Sequence, residues 1–441
     1  MDQNVPAPTP DLVKLKGYLC NVVTREMEVR PPAPDERHDV ILKYIQQAYE
    51  ITKLQLPNSI RDQVFRDVLD EIMGFGPLQP LLEDPEISEV MVNNAKNIYI
   101  EKHGKILKSN IEFDNDNHVL QIIDRIILPL GRHIDSDNPT VDARLPDGSR
   151  VNAVIPPVAI DGPSITIRKF RRGKLTTNNL IDLDTLTPQI ADFLKACVVS
   201  RLNVLISGGT GAGKTTLLNV LSGYIPDDER IITIEDAAEL KLQQAHVLRL
   251  ETKSPNVEGK YQVTVRDLVR NTLRMRPDRI IVGEVRGGEA LDMLQAMNTG
   301  HDGSLTTLHA NSPRDAIARI ETMVLMAGVE LPLKSIRQQI ASAIDLIIQI
   351  TRLRDGTRKI TAVNEVSGME GDTVVMTEIF RFDQTGMEPG GKILGEIKST
   401  GMRPLFMPRL EASGFKLSAE IFGVKMGSKS GINTGPHQRS F

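Results

Sequence analysis

The segment NVLISGGTGAGKTT, from Asn203 to Thr216, decides the fold class of this chain. An apolar strand leads into a glycine-rich loop, and the run TTLLNVLSGYI that follows has helical spacing. Within the loop, Gly208, Gly213, Lys214 and Thr215 fit the phosphate-loop pattern G-x-x-x-x-G-K-[ST]. Because strand, loop and helix occur in the required order, a tight turn that binds nothing is the disfavoured alternative.

This pattern predicts a site for ATP and Mg²⁺. Glycines allow backbone N–H groups to fold around a β-phosphate without a clash from a Cβ atom, and the N-terminus of the following helix adds positive potential. We expect Lys214 to reach the β- and γ-phosphate oxygens and the Thr215 hydroxyl to ligate Mg²⁺. The predicted cradle is Gly208, Gly209, Thr210, Gly211, Ala212, Gly213, Lys214, Thr215 and Thr216.

The segments after this loop indicate a parallel sheet covered by helices. IITIED, DRIIVGE and GSLTTLHA are apolar on both faces and alternate with helical runs, which is typical of parallel strands buried on both sides. From Asn311 the pattern continues with two helices and then with strands of antiparallel character up to about Phe422. We therefore predict an α/β fold, with a RecA-like P-loop ATPase core over residues 176–424 in which helices flank a parallel sheet.

The N-terminal third has a different pattern. Apolar residues from His38 to Met73 recur at helical spacing, and short strands follow, including SITIRKF and a hairpin that turns at Asp147-Gly148. These features predict an α+β, PAS-like domain over residues 37–175, ending in the basic linker RRGKLTTNN. Two proline clusters favour a flexible arm over residues 1–36, and a Gly/Ser-rich composition favours a disordered tail over residues 425–441.

Two predicted strands end in acids that could serve a bound nucleotide, Glu235 in TIEDAAEL and Glu284 in VGEVRGG. We expect the Glu284 strand to lie beside the phosphate-loop strand, where Glu284 would hold Mg²⁺ through a water. Glu235 is then the better general base for the attacking water. A lone Glu at the end of a strand can equally well cap the following helix. Two such strands after a phosphate loop make that alternative less favoured.

Two histidines and several arginines complete the candidates. A neutral histidine can donate a hydrogen bond to a phosphate oxygen, so His301 and His309 are candidates for sensing a γ-phosphate, and spacing leaves a structural role equally open. Metal ligation is the weaker alternative, because no further ligands are spaced nearby. Arginine commonly stabilises the transition-state charge on a γ-phosphoryl group. The arginine candidates are Arg144, Arg150, Arg168, Arg270, Arg274 and Arg286.

Composition disfavours other classes of protein. The net charge of -4 and an aromatic content of 4% argue against nucleic acid as the main partner. Cys20 and Cys197, the two cysteines, form neither a disulfide framework nor a zinc site and fit a reducing cytoplasm. No apolar run approaches the ~20 residues that a transmembrane helix needs.

Four segments in order, GGTGAGKTT, TIEDAAEL, RPDRIIVGEVRGGEA and GHDGSLTTLHANSPRDA, together resemble the traffic ATPases of type II and type IV secretion and pilus systems. The upstream strings VDARLPDGSRVNAVIPP and GPSITIRKF are similar to those of the Tad (tight adherence) pilus assembly ATPases of the CpaF type. The resemblance is strong from about Pro77 to Ala327 and weaker in the flanks.

The resemblance implies a site and a function. The family's catalytic glutamate falls on Glu235, its Walker B glutamate on Glu284, its histidines on His301 and His309, and its nucleotide-clamping arginines on Arg144, Arg150 and Arg168. It implies an ATP-hydrolysing homohexamer at the cytoplasmic face of the bacterial inner membrane, which engages a polytopic platform protein and thereby moves pilin subunits, without nucleic acid. The string GRHIDSDNP departs from the commoner family string, and the cysteine quartet of many type II secretion ATPases is missing.

Overall fold

The computed structural model describes residues 11–33, 35–170, 173, 175–253, 255 and 260–423. The described residues form two compact units that divide between residues 172 and 173, whereas the sequence placed a boundary between residues 175 and 176. The predicted tail, residues 425–441, and residues 1–10 of the predicted arm lie outside the described residues. None of the described helices has the length and apolar character that a bilayer-spanning segment requires.

Three helices begin the first unit: α1 (Leu12–Val29), α2 (Arg37–Thr52) and α3 (Asn58–Met73). Helix α1 corrects the predicted flexible arm. Its Leu15, Leu19 and Val23 recur at four-residue intervals on one face and are buried in a shared core with apolar residues of α2 and α3. The side chain of Asp11 caps the helix by accepting a hydrogen bond from the Lys14 N–H group at 3.2 Å. Residues 12–29 of the predicted arm are therefore helical.

The remainder of the first unit is a six-stranded antiparallel sheet with helix α5 on one face, which confirms the predicted α+β domain. The strands lie in the order β3-β2-β1-β6-β5-β4. The elements are α4 (Gln79–Glu83), β1 (Ile87–Asn94), β2 (Asn97–Lys102), β3 (Lys105–Lys108), α5 (Asp116–Ile127), β4 (Thr140–Arg144), β5 (Arg150–Val154) and β6 (Ser164–Arg168).

The second unit is built on a nine-stranded sheet in the order β15-β14-β13-β12-β7-β11-β10-β8-β9. Its parallel strands are β7 (Val204–Ser207), β8 (Ile231–Glu235), β9 (Val247–Glu251), β10 (Arg279–Val282), β11 (Leu305–Leu308) and β12 (Leu346–Arg352). Strands β13 (Arg358–Glu370), β14 (Thr373–Met387) and β15 (Ile393–Ser399) extend the sheet in antiparallel fashion. The predicted α/β core is confirmed.

Helices cover both faces of this sheet. They are α6 (Thr177–Asp182), α7 (Pro188–Val199), α8 (Lys214–Ser222), α9 (Val265–Thr272), α10 (Glu289–Asn298), α11 (Pro313–Leu325), α12 (Leu333–Ala343) and α13 (Met407–Ala412). Side chains alternate along each strand, so Val204 and Ile206 join the core formed with α7 and α8, whereas Leu205 joins the core formed with α9 to α12. Burial on both faces explains why these strands are apolar throughout.

The order of the central strands corrects one prediction. Strand β11 lies between β7 and β10, because Leu305 pairs with both Val204 and Ile281. The Glu284 strand is therefore not beside the phosphate-loop strand. Apolar runs indicate that strands exist, whereas their order depends on tertiary packing that these runs do not encode. The chain that leaves β11 at His309 consequently lies between the phosphate loop and Glu284.

A buried polar cluster joins the three central strands at the opposite edge. The guanidinium of Arg279 is fully buried and donates to both carboxylate oxygens of Glu229, at 2.5 and 3.2 Å, and to the Gly303 carbonyl at 3.1 Å. Asn203 Oδ1 accepts hydrogen bonds from the N–H groups of Gly303 and Ser304, at 2.9 and 3.0 Å. The starts of β7, β10 and β11 are thus locked together.

A glycine pair tests this lock. Gly303 and Gly300 both have left-handed backbones, with φ of +83° and +91°, but only at Gly303 would a Cβ atom overlap the Arg279 guanidinium. We expect Gly303→Ala to lower the free energy of unfolding by about 1–3 kcal/mol more than Gly300→Ala, because the overpacking term applies to Gly303 alone. Denaturant unfolding of both variants measures the difference. Equal losses would show that Arg279 is not a fixed neighbour.

Candidate active site

The phosphate loop joins β7 to α8. Gly211 and Gly213 adopt φ of +68° and +100°, a left-handed conformation that side chains with a Cβ atom rarely adopt. A Cβ atom at Gly208 would overlap the carbonyl oxygen of Ile350 on β12. These three glycines are therefore required by backbone geometry, and a cradle of this kind fits the phosphates of a nucleotide.

Lys214 links the loop to the chain after β11. It is 7% exposed, and its Nζ atom donates to the Gly209 carbonyl at 3.1 Å. The same Nζ lies 3.2 Å from Nδ1 of His309. Because an ammonium group can only donate, the histidine ring must accept from it and is assigned here as the neutral tautomer with its proton on Nε2.

His309 lies between two opposite charges. Its Nε2 is 2.7 Å from Oε1 of Glu284, a close contact whose angles do not meet those of a hydrogen bond. Burial lowers the pKa of His309, the nearby Lys214 lowers it further, and Glu284 partly opposes both effects. The ring is therefore neutral at neutral pH and separates the lysine from the glutamate.

Glu284 is held by an arginine rather than by a helix. Arg286 donates through Nη2 to Glu284 Oε2 at 2.6 Å, and its Nη1 lies 3.2 Å from Asp236 Oδ2. Glu284 does not cap the helix that follows, because α10 begins without a side-chain cap. Glu289, its first residue, accepts instead from the N–H groups of Arg286 and Gly287 in the preceding turn, at 2.7 and 2.9 Å. Buried Oε1 of Glu284 accepts no hydrogen bond from any described residue, so it remains available to a metal-bound water.

Glu235 is the buried acid at the end of β8. Its Oε2 accepts hydrogen bonds from the N–H groups of Glu239 and Leu240, at 2.7 and 3.0 Å, which caps a turn and not a helix. Its Oε1 is buried and has no hydrogen-bond partner in the described part of the chain. Burial raises the pKa of Glu235, and the two backbone donors oppose that rise. One oxygen is thus fixed while the other can accept a proton.

Gly283 explains how two glutamates fit together. A Cβ atom at this position would lie 3.0 Å from Cγ of Glu235. The glycine before Glu284 therefore leaves room for the side chain of Glu235 on the neighbouring strand, since Val282 pairs with Ile234. The Gly-Glu pair at the end of β10 is a requirement of packing between the two acids.

His301 does not join this site within its own unit. It precedes β11, whereas His309 follows it, and phosphate binding is expected where the parallel strands end. At roughly 3.3 Å per residue, the four residues of β11 alone span about 13 Å. The extended strand therefore carries the two histidines to opposite edges of the sheet, and the cofactor contact of His301 stays a prediction.

The arginine candidates separate into three groups. Arg270 has a structural role. It and Arg266 each donate a hydrogen bond to the buried carboxylate of Asp292 at 2.7 Å. Arg274 is exposed near the end of α9, and Arg286 belongs to the site. The third group, Arg144, Arg150 and Arg168, lies in the first unit.

Strand register brings these three arginines together. Arg144 pairs with Arg150 across β4 and β5, and Arg150 pairs with Arg168 across β5 and β6. Directly opposed residues share a face of a sheet, so the three side chains form one row on the face away from α5. Glu89 continues the row on β1, and its Oε1 lies 3.8 Å from Nε of Arg168.

The residues present also fit Mg²⁺. Thr215 is in the first turn of α8, and Glu284 offers the buried oxygen described above. Among the described residues there is no group of three or more His, Cys, Asp or Glu side chains that could hold a metal ion. Mg²⁺ in nucleotide sites uses one or two protein ligands together with phosphates and waters, so it needs no such group.

The profile of the type II/IV secretion system protein family matches residues 71–384. The chain belongs to this family. The resemblance drawn from the four motifs is thereby confirmed at the level of the family. Membership in this family and the complete phosphate loop together identify the chain as an ATPase.

Individual members of the family are similar over most of their length. A Mycobacterium tuberculosis protein provisionally named a conjugal transfer protein is 37% identical over 313 residues, covering 70% of this chain and 88% of its own. The conjugal transfer protein TrbB of Rhizobium radiobacter is 34% identical, covering 66% and 86%. The crystal structure of the VirB11 ATPase from the Brucella suis type IV secretion system is 30% identical, with a TM-score of 0.36, covering 65% and 94%.

Replacing Glu235 by Gln tests its role as general base. The amide keeps the size of the side chain and can still accept from Glu239 and Leu240, but it cannot take a proton. We expect kcat for ATP hydrolysis to fall about 10²–10⁴-fold. The free energy of unfolding at neutral pH should not fall. Burial raises the pKa of Glu235, so the ionised carboxylate destabilises the folded state at pH values above that pKa, and the neutral amide removes this cost. Phosphate release and thermal unfolding measure the two effects.

Glu251→Gln is the matched control for Glu235→Gln. Glu251 pairs in register with Glu235 on β9 but is exposed, so this variant should hydrolyse ATP like the wild type. Wild-type turnover by Glu235→Gln would refute the assignment of the base.

The charges around His309 predict opposite shifts in two variants. Lys214→Met removes a positive charge that lowers the His309 pKa, so that pKa should rise. Glu284→Gln removes a negative charge that raises it, so the pKa should fall further. Titration of selectively labelled histidines by NMR measures both. Shifts of the same sign would contradict the placement of the ring between the two charges.

Proposed function

We propose that this chain is the motor of a Tad-type, type IV-like pilus, in which ATP hydrolysis drives pilin movement through an inner-membrane platform protein. The observation that carries the proposal is the line from Lys214 through His309 to Glu284, with Glu235 beside it, in a member of this family. The upstream strings VDARLPDGSRVNAVIPP and GPSITIRKF favour the Tad type, because they resemble the CpaF group.

We propose one step for each of these residues. Backbone N–H groups from Gly209 to Thr216 bind the phosphates, and Lys214 donates to the β- and γ-phosphate oxygens. Thr215 and Glu284, the latter through a water, would hold Mg²⁺, which would neutralise phosphate charge. Glu235 accepts the proton of the attacking water through Oε1. His309 lies between Lys214 and Glu284, so a movement of Lys214 on binding the γ-phosphate changes the environment of Glu284.

The row of Arg144, Arg150 and Arg168 is proposed to bind the phosphates of the nucleotide. Their directly opposed strand positions place three guanidinium groups in one row on one face of the sheet. Such a row attracts a polyphosphate, and arginine matches phosphate geometry better than lysine does. We further propose a homohexameric ring, peripheral at the cytoplasmic face of the bacterial inner membrane, that docks on a polytopic platform protein.

A second candidate function is supported by the names of the relatives. Two of them are named for conjugal transfer, which favours a nucleic-acid-translocating motor or a secretion ATPase of a related system. Against nucleic acid stand the net charge of -4 and the aromatic content of 4%. We therefore rank the pilus motor first.

A two-part experiment tests the proposal. In cells, Lys214→Ala should abolish surface pili without lowering the amount of the chain, because hydrolysis is lost. In vitro, Arg168→Ala should cut kcat on the order of 10³-fold if this arginine stabilises the transition state, whereas Lys105→Ala, an exposed charge on the same sheet, should not. Pili that persist in Lys214→Ala cells would refute the pilus role, and ATPase activity stimulated by DNA would favour the second candidate.

A further inference from the structure

The hairpin of β12 and β13 lies against the phosphate loop. Strand β12 pairs in parallel with β7 from Leu346–Val204 to Gln349–Ser207 and then continues past the end of β7 to Arg352. Its main chain contacts the loop so closely that Gly208 has no space for a Cβ atom beside Ile350. The hairpin is therefore one wall of the predicted nucleotide site.

Two arginines on this hairpin reach the loop. Arg352 and Arg358 are directly opposed across β12 and β13, so they share a face. Arg358 donates from Nε to the Gly211 carbonyl at 3.0 Å, and its Cδ lies 3.5 Å from the Cβ position of Gly213. Nη1 of Arg352 lies 3.5 Å from the Cβ position of Gly211. Arg358 thus contacts Gly211, and Arg352 lies beside it.

We propose that this arginine pair is a second cationic wall of the nucleotide site. Arg358 is a positioning residue that sets the conformation of the phosphate loop, and Arg352 contributes charge to the binding of the polyphosphate. The proposal rests on the proposed nucleotide site and adds to it two residues outside the four family motifs.

Arg358 acts through one peptide plane. The carbonyl of Gly211 and the N–H group of Ala212 belong to one trans peptide and point in opposite directions. With the carbonyl held by Arg358, the N–H group of Ala212 is directed to the other side, where it donates to the Gly209 carbonyl at 3.3 Å. The same carbonyl accepts from Lys214. Arg358 therefore helps to fix the loop that places Lys214.

Arg352 acts through charge. The Arg352–Arg358 pair lies at the loop where phosphates are expected, so each guanidinium adds positive potential there. The attraction between that potential and a bound anion grows with the number of negative charges on the anion. Arg352 should therefore increase the binding affinity for ATP more than the affinity for ADP.

The hairpin turn is rigid enough for this task. Asp355 Oδ1 accepts from the N–H group and the hydroxyl of Thr357, at 2.9 and 2.6 Å, and Oδ2 accepts from the N–H group of Ile393 on β15 at 2.8 Å. The turn is thus tied to the neighbouring hairpin. Arg354 is exposed in this same turn and has the same charge, which makes it a matched control.

Calorimetric titration of the full chain with ATP and with ADP tests the proposal. We expect Arg358→Gln to weaken both nucleotides about tenfold, as for one lost charge-assisted hydrogen bond. Arg358→Lys keeps a donor for the Gly211 carbonyl and should restore most of the affinity. Arg352→Gln should weaken ATP more than ADP and reduce the salt dependence of ATP binding, whereas Arg354→Gln should match the wild type.

Kinetics separate positioning from general damage to the fold. Arg358→Gln should raise KM for ATP with a smaller change in kcat, and its melting temperature should stay close to that of Arg354→Gln. Wild-type affinities in both Arg358→Gln and Arg352→Gln would overturn the inference and leave the ATPase assignment intact. Equal losses in Arg354→Gln would also overturn it. A wild-type chain that binds no ATP would overturn the proposed nucleotide site itself.

Discussion

A neutral histidine between a lysine and a glutamate is the interaction on which the site depends. Lys214 and Glu284 carry opposite charges, and a direct ion pair between them in a buried place would hold the lysine strongly. The His309 ring replaces that pair by one hydrogen bond from the lysine and one contact to the carboxylate. Lys214 is therefore held in position, and its ammonium group can still move to the more highly charged phosphates of a nucleotide. This arrangement requires that β11 separate β7 from β10.

The strand order is itself secured at the far edge of the sheet. A buried polar cluster is formed there by Arg279, Glu229, Asn203 and Gly303. Each of the three guanidinium nitrogens of Arg279 donates a hydrogen bond, two to Glu229 and one to the Gly303 carbonyl. A buried charge is tolerated only when it is paired in this way. The cluster sets the register of the strands at one edge, and the register delivers His309 and Glu284 to the other. The same short strands thus carry the buried polar cluster at one end and the catalytic residues at the other.

The sequence correctly predicted those motifs and turns that form through interactions between residues close together in the chain. The phosphate loop, the acid that ends β8, the acid that follows β10, and the hairpin at Asp147-Gly148 all follow from residue preferences within a few positions. The position of β11, the row of Arg144, Arg150 and Arg168, and the approach of Arg358 to Gly211 depend on register between distant segments. The separation of His301 from His309 likewise depends on the strand between them, which the spacing of the two histidines did not reveal. A clue to Arg352 and Arg358 was present in their spacing around Asp355-Gly356, a hairpin turn with arginine at both ends.

The first three helices have a core of their own. Leu19, Ile45 and Val68 belong to an apolar cluster that shares no residue with the cluster under the six-stranded sheet. The family profile begins at residue 71, within the last turn of α3. The start of the family profile therefore lies close to the limit of a hydrophobic core. A change in the packing of these three helices removes no residue from the apolar cluster under the sheet, so this segment can vary without creating a cavity there.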